Sequence, residues 1–142
     1  MGRVKIRFPE QSVFSTQIGI RVTDLNYGNH MANDAVLGFA HEARMRWLAQ
    51  WGYTEINAGE TGLIMADAEI SYKAEAFFGD VLTVTLYVGE IGKHGFELLF
   101  RMVTTRENQP VEIAHVKTGM VCFDYQERKV KAIPENFLEK MA

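Results

Sequence analysis

The chain has 142 residues, a length that suits one domain able to bury roughly two thirds of its unfolded surface without disulfides or metals. Its 15 Lys and Arg against 18 Asp and Glu give a net charge of −3 with the signs interspersed, which excludes the electrostatic footprint of a nucleic-acid binder. The single cysteine, Cys122, has no internal partner and suits a reducing compartment; with no apolar run near the ~18 residues of a membrane span and no signal-peptide core in Met1 to Glu10, a soluble cytoplasmic protein is expected.

Val13 to Val22 alternates apolar and polar residues at a period of two and reads as a first strand. It feeds a polar loop in which Asp24, Asn26, Asn29, His30, Asn33 and Asp34 surround Gly28. Polar groups at that position act as caps, as an anion site, or as catalytic groups beside backbone N–H donors. Asn33 or Asp34 is suited to cap the helix that follows. In that helix Ala35, Val36, Phe39, Ala40, Ala43, Trp47 and Trp51 fall on one stripe at about 100° per residue, which predicts a buried face. Gly38, Ala40 and Ala43 thin one side for close backbone approach, and Gly52 ends the run.

After Asn57, Gly59 and Gly62 the period changes from helical to alternating. Leu63 to Lys73, Val81 to Val88, the run from Phe96 to Val103 and Val111 to Phe123 read as four strands. Gly92-Lys93-His94-Gly95 and Glu107-Asn108-Gln109-Pro110 read as hairpin turns, and Gly79-Asp80 as a turn before the Val81 strand. The apolar phase slips at Ile113-Ala114, which predicts a bulge or a change of which face is covered. Glu135 to Met141 reads as a terminal helical turn or two.

Strand, helix and then hairpin-linked strands predict an α+β fold in one domain over 1–142, an antiparallel sheet against one long helix. Such a sheet leaves edges and a face bare, so at least a homodimer is expected.

At this point the residues carry a resemblance. Asp24-Leu25-Asn26, Gly28-Asn29-His30, Asn33, Glu42-Ala43-Arg44, Ile70-Ser71-Tyr72 and Phe78-Gly79-Asp80 resemble the hotdog-fold acyl-CoA thioesterases of the 4-hydroxybenzoyl-CoA thioesterase type. The resemblance runs from about Thr16 to Pro134. It implies an antiparallel sheet wrapped around a central helix, an acyl-CoA substrate, no cofactor or metal, no nucleic-acid or membrane partner, and a homodimer or homotetramer with the site at a subunit interface.

The same resemblance implies Asp24, His30 and Glu42 as catalytic candidates and Asn26, Asn29, Asn33 and Tyr72 as substrate-binding candidates. Three departures stand out, one of them that Gly28 precedes Asn29 rather than lying directly before His30. Asn26 occupies the place of the family's second aspartate, and an amide is neither a base nor a nucleophile. Glu75 stands where relatives often carry proline. Asp24 is therefore the first choice of carboxylate and Glu42 the second, with backbone N–H groups at the helix start as oxyanion donors.

The residues also admit structural roles. Asp24 suits a turn, His30 a hydrogen-bonded loop, and Glu42 an ion pair with Arg46 one turn on. Tyr72, Phe77 and Phe78 suit a core or an interface; Lys73, Lys93, His94 and Arg106 are of the type that meets CoA phosphates, but lone basic residues on strands and turns suit a solvated surface. The Asn26 departure keeps a second function open, a non-catalytic acyl-CoA-binding hotdog protein. A hotdog dehydratase using His30 ranks third.

Overall fold

A computed structural model describes residues 2–142. In chain order it contains β1 (Phe14–Gly19), a single 3-10 turn (Val22–Asp24), α1 (Ala35–Ala49), β2 (Gly62–Tyr72), β3 (Val81–Ile91), β4 (Gly95–Arg106), β5 (Gln109–Asp124), β6 (Lys129–Val130) and α2 (Glu135–Met141). The strands form one antiparallel sheet in the order β1-β3-β4-β5-β2, with β6 paired to the end of β5. This is the expected α+β arrangement, a sheet wrapped around one main helix.

The core lies between α1 and the concave face of the sheet. Val36, Phe39, Ala40, Ala43, Trp47 and Leu48 of α1 are buried, as the helical stripe requires. They meet the alternating residues of the hairpins, Leu82, Val84 and Leu86 of β3 and Phe96, Leu98, Phe100 and Met102 of β4, all buried. Trp47 packs 6.2 Å from Phe96 and 5.9 Å from Phe137, so α2 closes one end of the core with a fully buried ring. Burying one such aromatic side chain stabilises by roughly 1.5–3 kcal/mol.

The predicted bulge is present. Met102 pairs with Ala114 and Val103 with Glu112, so Ile113 is the extra residue, and both Ile113 and Ala114 point into buried space. The second hairpin turns through Glu107 and Asn108, both at positive φ, the geometry of a tight type I′ turn.

Other expectations are corrected. The first strand ends at Gly19 rather than Val22, because residues 22–24 tighten into the 3-10 turn. Asp34 stands at the N-cap position, yet neither it nor Asn33 makes a side-chain cap bond. The backbone of Asp34 is already helical, and the first donors are satisfied by a preceding turn, Ala35 N to the Ala32 carbonyl and Val36 N to the Asn33 carbonyl. Gly38 does not admit a neighbouring backbone: a Cβ there would meet nothing within 4 Å.

Two features had no counterpart in the sequence reading. β6 is a two-residue strand. The N-terminal segment lies as an extended strap on the outer face of the sheet, where Ile6 and Phe8 are half-buried and the Phe8 ring sits 4.9 Å from Tyr87 and 5.0 Å from His115. Beneath it Arg101 and His115 both bond Glu112, and the Arg101 guanidinium foremost holds the Glu112 carboxyl below its ordinary range.

Candidate active site

The loop between β1 and α1 is shaped by its short polar residues. Asn26 Oδ1 accepts from Gly28 N at 2.9 Å, and Asn29 takes the left-handed conformation at φ 62°. A side chain at Gly28 would press a Cβ to 3.0 Å from the His30 ring, so glycine is what lets the loop fold back beneath that histidine. The loop is then pinned at both sides: Ala32 N donates to the Asp24 carbonyl, and Met31 N to the Ala76 carbonyl.

The start of α1 separates two openings. On the β1 side a groove of about 590 Å³ runs between β1 and α1, walled by Ile18, Ile20, Phe39 and Phe78 and floored by the bare Gly38. Asp24 and Glu42 both line it, together with Arg21 and Arg46. The two carboxylates differ in how they are held. Asp24 is buried; its Oδ2 accepts Arg21 N at 2.8 Å and Arg21 Nε at 3.2 Å, and its Oδ1 accepts Arg21 Nη2 at 3.2 Å. This bonding raises the Arg21 pKa and locks the 3-10 turn. Glu42 has its side chain 52% exposed, and Arg46 Nε donates to Oε2 at 2.8 Å, leaving Oε1 without a partner among the described residues. Arg46 is itself fixed by Thr16 Oγ1 and the Gln17 carbonyl, each at 2.9 Å.

On the β2 side a smaller cleft of about 300 Å³ is lined by His30, Asn33, Tyr72, Lys73 and Glu75. His30 Nδ1 lies 3.2 Å from the Met31 carbonyl, its Nε2 3.9 Å from Glu75 Oε1, and the Tyr72 hydroxyl donates to the Asn33 carbonyl at 3.1 Å. Glu75, noted in the sequence for its departure from proline, is thus the acid that faces His30.

The chain therefore brings Asp24 to Glu42, and His30 to Asn33 and Tyr72, in two openings that share the first turn of α1. Asn26 and Asn29 stand on the exposed loop between, beside Tyr27, which is fully exposed. Glu42 lies seven residues past the helix start, ~10 Å along its axis at ~1.5 Å per residue. A carbonyl docked at the first helical N–H groups is out of its reach, and two of those groups already donate within the preceding turn.

Sequence reasoning did not foresee three arginine pairings. Arg21 could have been found from its spacing of three residues before Asp24. Arg44, buried, bonds Glu55 at 2.5 Å, and Glu55 also bonds His41 at 2.6 Å, which ties the middle of α1 to the segment before β2. No local spacing links Glu55 to Arg44. Arg106, read as solvated, bonds Asp80 at 2.6 Å and lies 5.0 Å over the Phe77 ring. Cys122 is fully buried, and burial pushes its thiol up to about 11, which removes it as a nucleophile.

A sheet curled around one helix, with polar groups gathered at that helix's start, defines a hotdog protein of the thioesterase class. The chain belongs to the thioesterase-like superfamily, whose family model matches residues 20–141, and it is a thioester hydrolase. It is similar to a probable thioesterase from Escherichia coli at 26% identity, covering 89% of this chain and 95% of that one with a TM-score of 0.73. A 1,4-dihydroxy-2-naphthoyl-CoA thioesterase from Synechocystis shares the fold at 22% identity, covering 90% of this chain and 94% of that one with a TM-score of 0.75. So does an aspartate-to-asparagine mutant of 4-hydroxybenzoyl-CoA thioesterase complexed with 4-hydroxybenzoyl-CoA, at 16% identity, 91% and 98% coverage and a TM-score of 0.80. No curated protein matches the chain. No helix among the described residues is long and apolar enough to cross a membrane.

Proposed function

We propose that this protein hydrolyses acyl-CoA thioesters, with the acyl group seated in the groove between β1 and α1 and Glu42 as the carboxylate that activates water. The observation that carries this reading is the placement of one half-exposed carboxylate, with a free oxygen, inside an apolar-walled groove. Asp24 holds the family's first aspartate position, but Arg21 occupies both of its oxygens. Backbone and guanidinium donors thus face the carboxylate where a water would have to approach. Its part is to hold the turn that shapes the groove.

In the reaction Glu42 takes a proton from water as the hydroxide oxygen bonds to the thioester carbon, contributing ~10²–10⁴ in rate. Collapse of the tetrahedral intermediate breaks the C–S bond, and the proton passes to the departing thiolate. Arg46, fixed on the β1 backbone, supplies positive charge near the oxyanion, the role the sequence reading gave to the helix start. His30, Asn33 and Tyr72, with Asn26 and Asn29 on the loop, hold the pantetheine arm on the β2 side. An extended thioester bends around the first turn of α1 to touch both openings.

A second copy completes this site. β2 is a sheet edge in which Met65, Ala66, Asp67, Ala68 and Glu69 are all exposed, so both of its faces are bare over that stretch. Pairing through this edge into a homodimer covers them and closes the β2-side cleft. Membership of the 4-hydroxybenzoyl-CoA thioesterase type is supported by the fold shared with that enzyme and by Asp24, His30, Asn33 and Arg44.

Release of free thiol from a panel of aliphatic and aromatic acyl-CoAs tests the reading, and activity above background with at least one is expected. No turnover with any of them overturns it. Saturable binding without thiol release would make the chain an acyl-CoA-binding protein, the reading that Asn26 favours.

A further inference from the structure

The N-terminal strap meets the end of β2 in a separate groove of about 420 Å³, lined by Arg3, Val4, Lys5, Ile70, Tyr72 and Lys73. Among the described residues its three cations have no acidic partner within 4.0 Å, whereas Lys117 nearby on the sheet is held by Glu69 and Glu97. Bringing three unpaired cations to one concavity works against their mutual repulsion, and a bound anion would relieve it. The three cations are exposed, and Phe8 anchors the strap that carries two of them against Tyr87 and His115. Tyr72 and Lys73 also line the cleft that holds His30 and Asn33, so the two spaces adjoin at the end of β2.

We propose that Arg3, Lys5 and Lys73 bind the phosphates of the coenzyme A nucleotide, which makes the strap part of the substrate site. This rests on the acyl-CoA reading above and extends it to the far end of the ligand. Arginine and lysine donate charge-assisted hydrogen bonds to phosphate oxygens, and the half-exposed ring of Tyr72 together with Ile70 gives an apolar wall for the base. A concave groove fits a nucleotide, whereas an acidic carrier protein would call for a convex basic surface. The site thereby selects a CoA thioester over one carried on protein.

Titration calorimetry of the full chain with CoA, beside 3′-dephospho-CoA, tests this without requiring turnover. The Arg3→Ala/Lys5→Ala variant is expected to weaken CoA binding about tenfold or more, the loss of charged hydrogen bonds. Arg7→Ala, which removes a charge from the same strap outside the groove, is expected to leave it within about twofold. Phe8→Ala, which keeps every cation but loosens the strap, is expected to weaken it as well. Unchanged binding in the double variant, equal weakening in Arg7→Ala, or no CoA binding by the wild type beside hydrolysis of an acyl-pantetheine thioester each overturns the proposal. Binding of CoA in this pattern with no hydrolysis of any thioester would uphold it and remove the enzymatic reading instead.

Discussion

The two openings beside the start of α1 are built on opposite terms. On the β1 side the charged groups are paired, Asp24 with Arg21 and Glu42 with Arg46, and the walls are apolar. On the β2 side His30 stands 3.9 Å from Glu75, and Tyr72, itself half exposed, makes a single bond to backbone. A pre-ordered set of charges suits bond-breaking, because no reorganisation is needed as charge develops. Loosely held polar groups on an unpaired edge suit a flexible ligand arm and a partner subunit. Position in the fold, more than residue type, thus separates candidates that the sequence placed in one list.

Substitutions on the two sides sharpen or break that contrast. Glu42→Gln should lower kcat for an acyl-CoA by ~10²–10⁴, the contribution of a general base, with little change in KM; a variant retaining wild-type kcat would move the chemistry out of this groove. Asp24→Ala removes the buried acceptor of Arg21 N and should cost about 1–2 kcal/mol in stability by urea unfolding, while Asp24→Asn should lower kcat by less than about tenfold. If Asp24→Asn instead abolishes turnover without loss of stability, the family's first aspartate is the working carboxylate. On the β2 side Tyr72→Phe should act through KM alone, by the ~0.5–1.5 kcal/mol of one hydrogen bond, with kcat unmoved. The smallest effect is expected at Gly38→Ala, where the added Cβ meets open groove. It should stabilise the helix by up to ~1 kcal/mol, read as a higher midpoint in urea.

Much of the fold was legible because it is written in periodicity. The change from a 3.6-residue to a two-residue apolar period marked α1 and the hairpins, and the slip at Ile113-Ala114 marked the bulge to the residue. Boundaries set by the backbone were not legible. The turn at residues 22–24 shortened β1, and the helical backbone of Asp34 displaced the expected cap, since nothing in the residue types signals a donor already satisfied by a preceding turn.

The candidate site was legible as a set of residues and illegible as a geometry. Asp24, His30, Asn33 and Glu42 were singled out by motif, yet only the path of the chain around the first turn of α1 sends them to different openings. Arg44 with Glu55, and the strap with Lys73, join segments that are far apart in the chain.

Taken alone, the amino-acid order determined the class of fold, the buried stripe of α1 and the amide at position 26, a group that is neither base nor nucleophile. Those properties are local: each depends on side-chain type and spacing along a few turns or a few strand residues. The tertiary structure decided, among the described residues, which carboxylate keeps a free oxygen, which cations lie without an acid and which edge stands bare. Those depend on what lies across space, and the burial and partners of a charged group are set only once distant segments have packed.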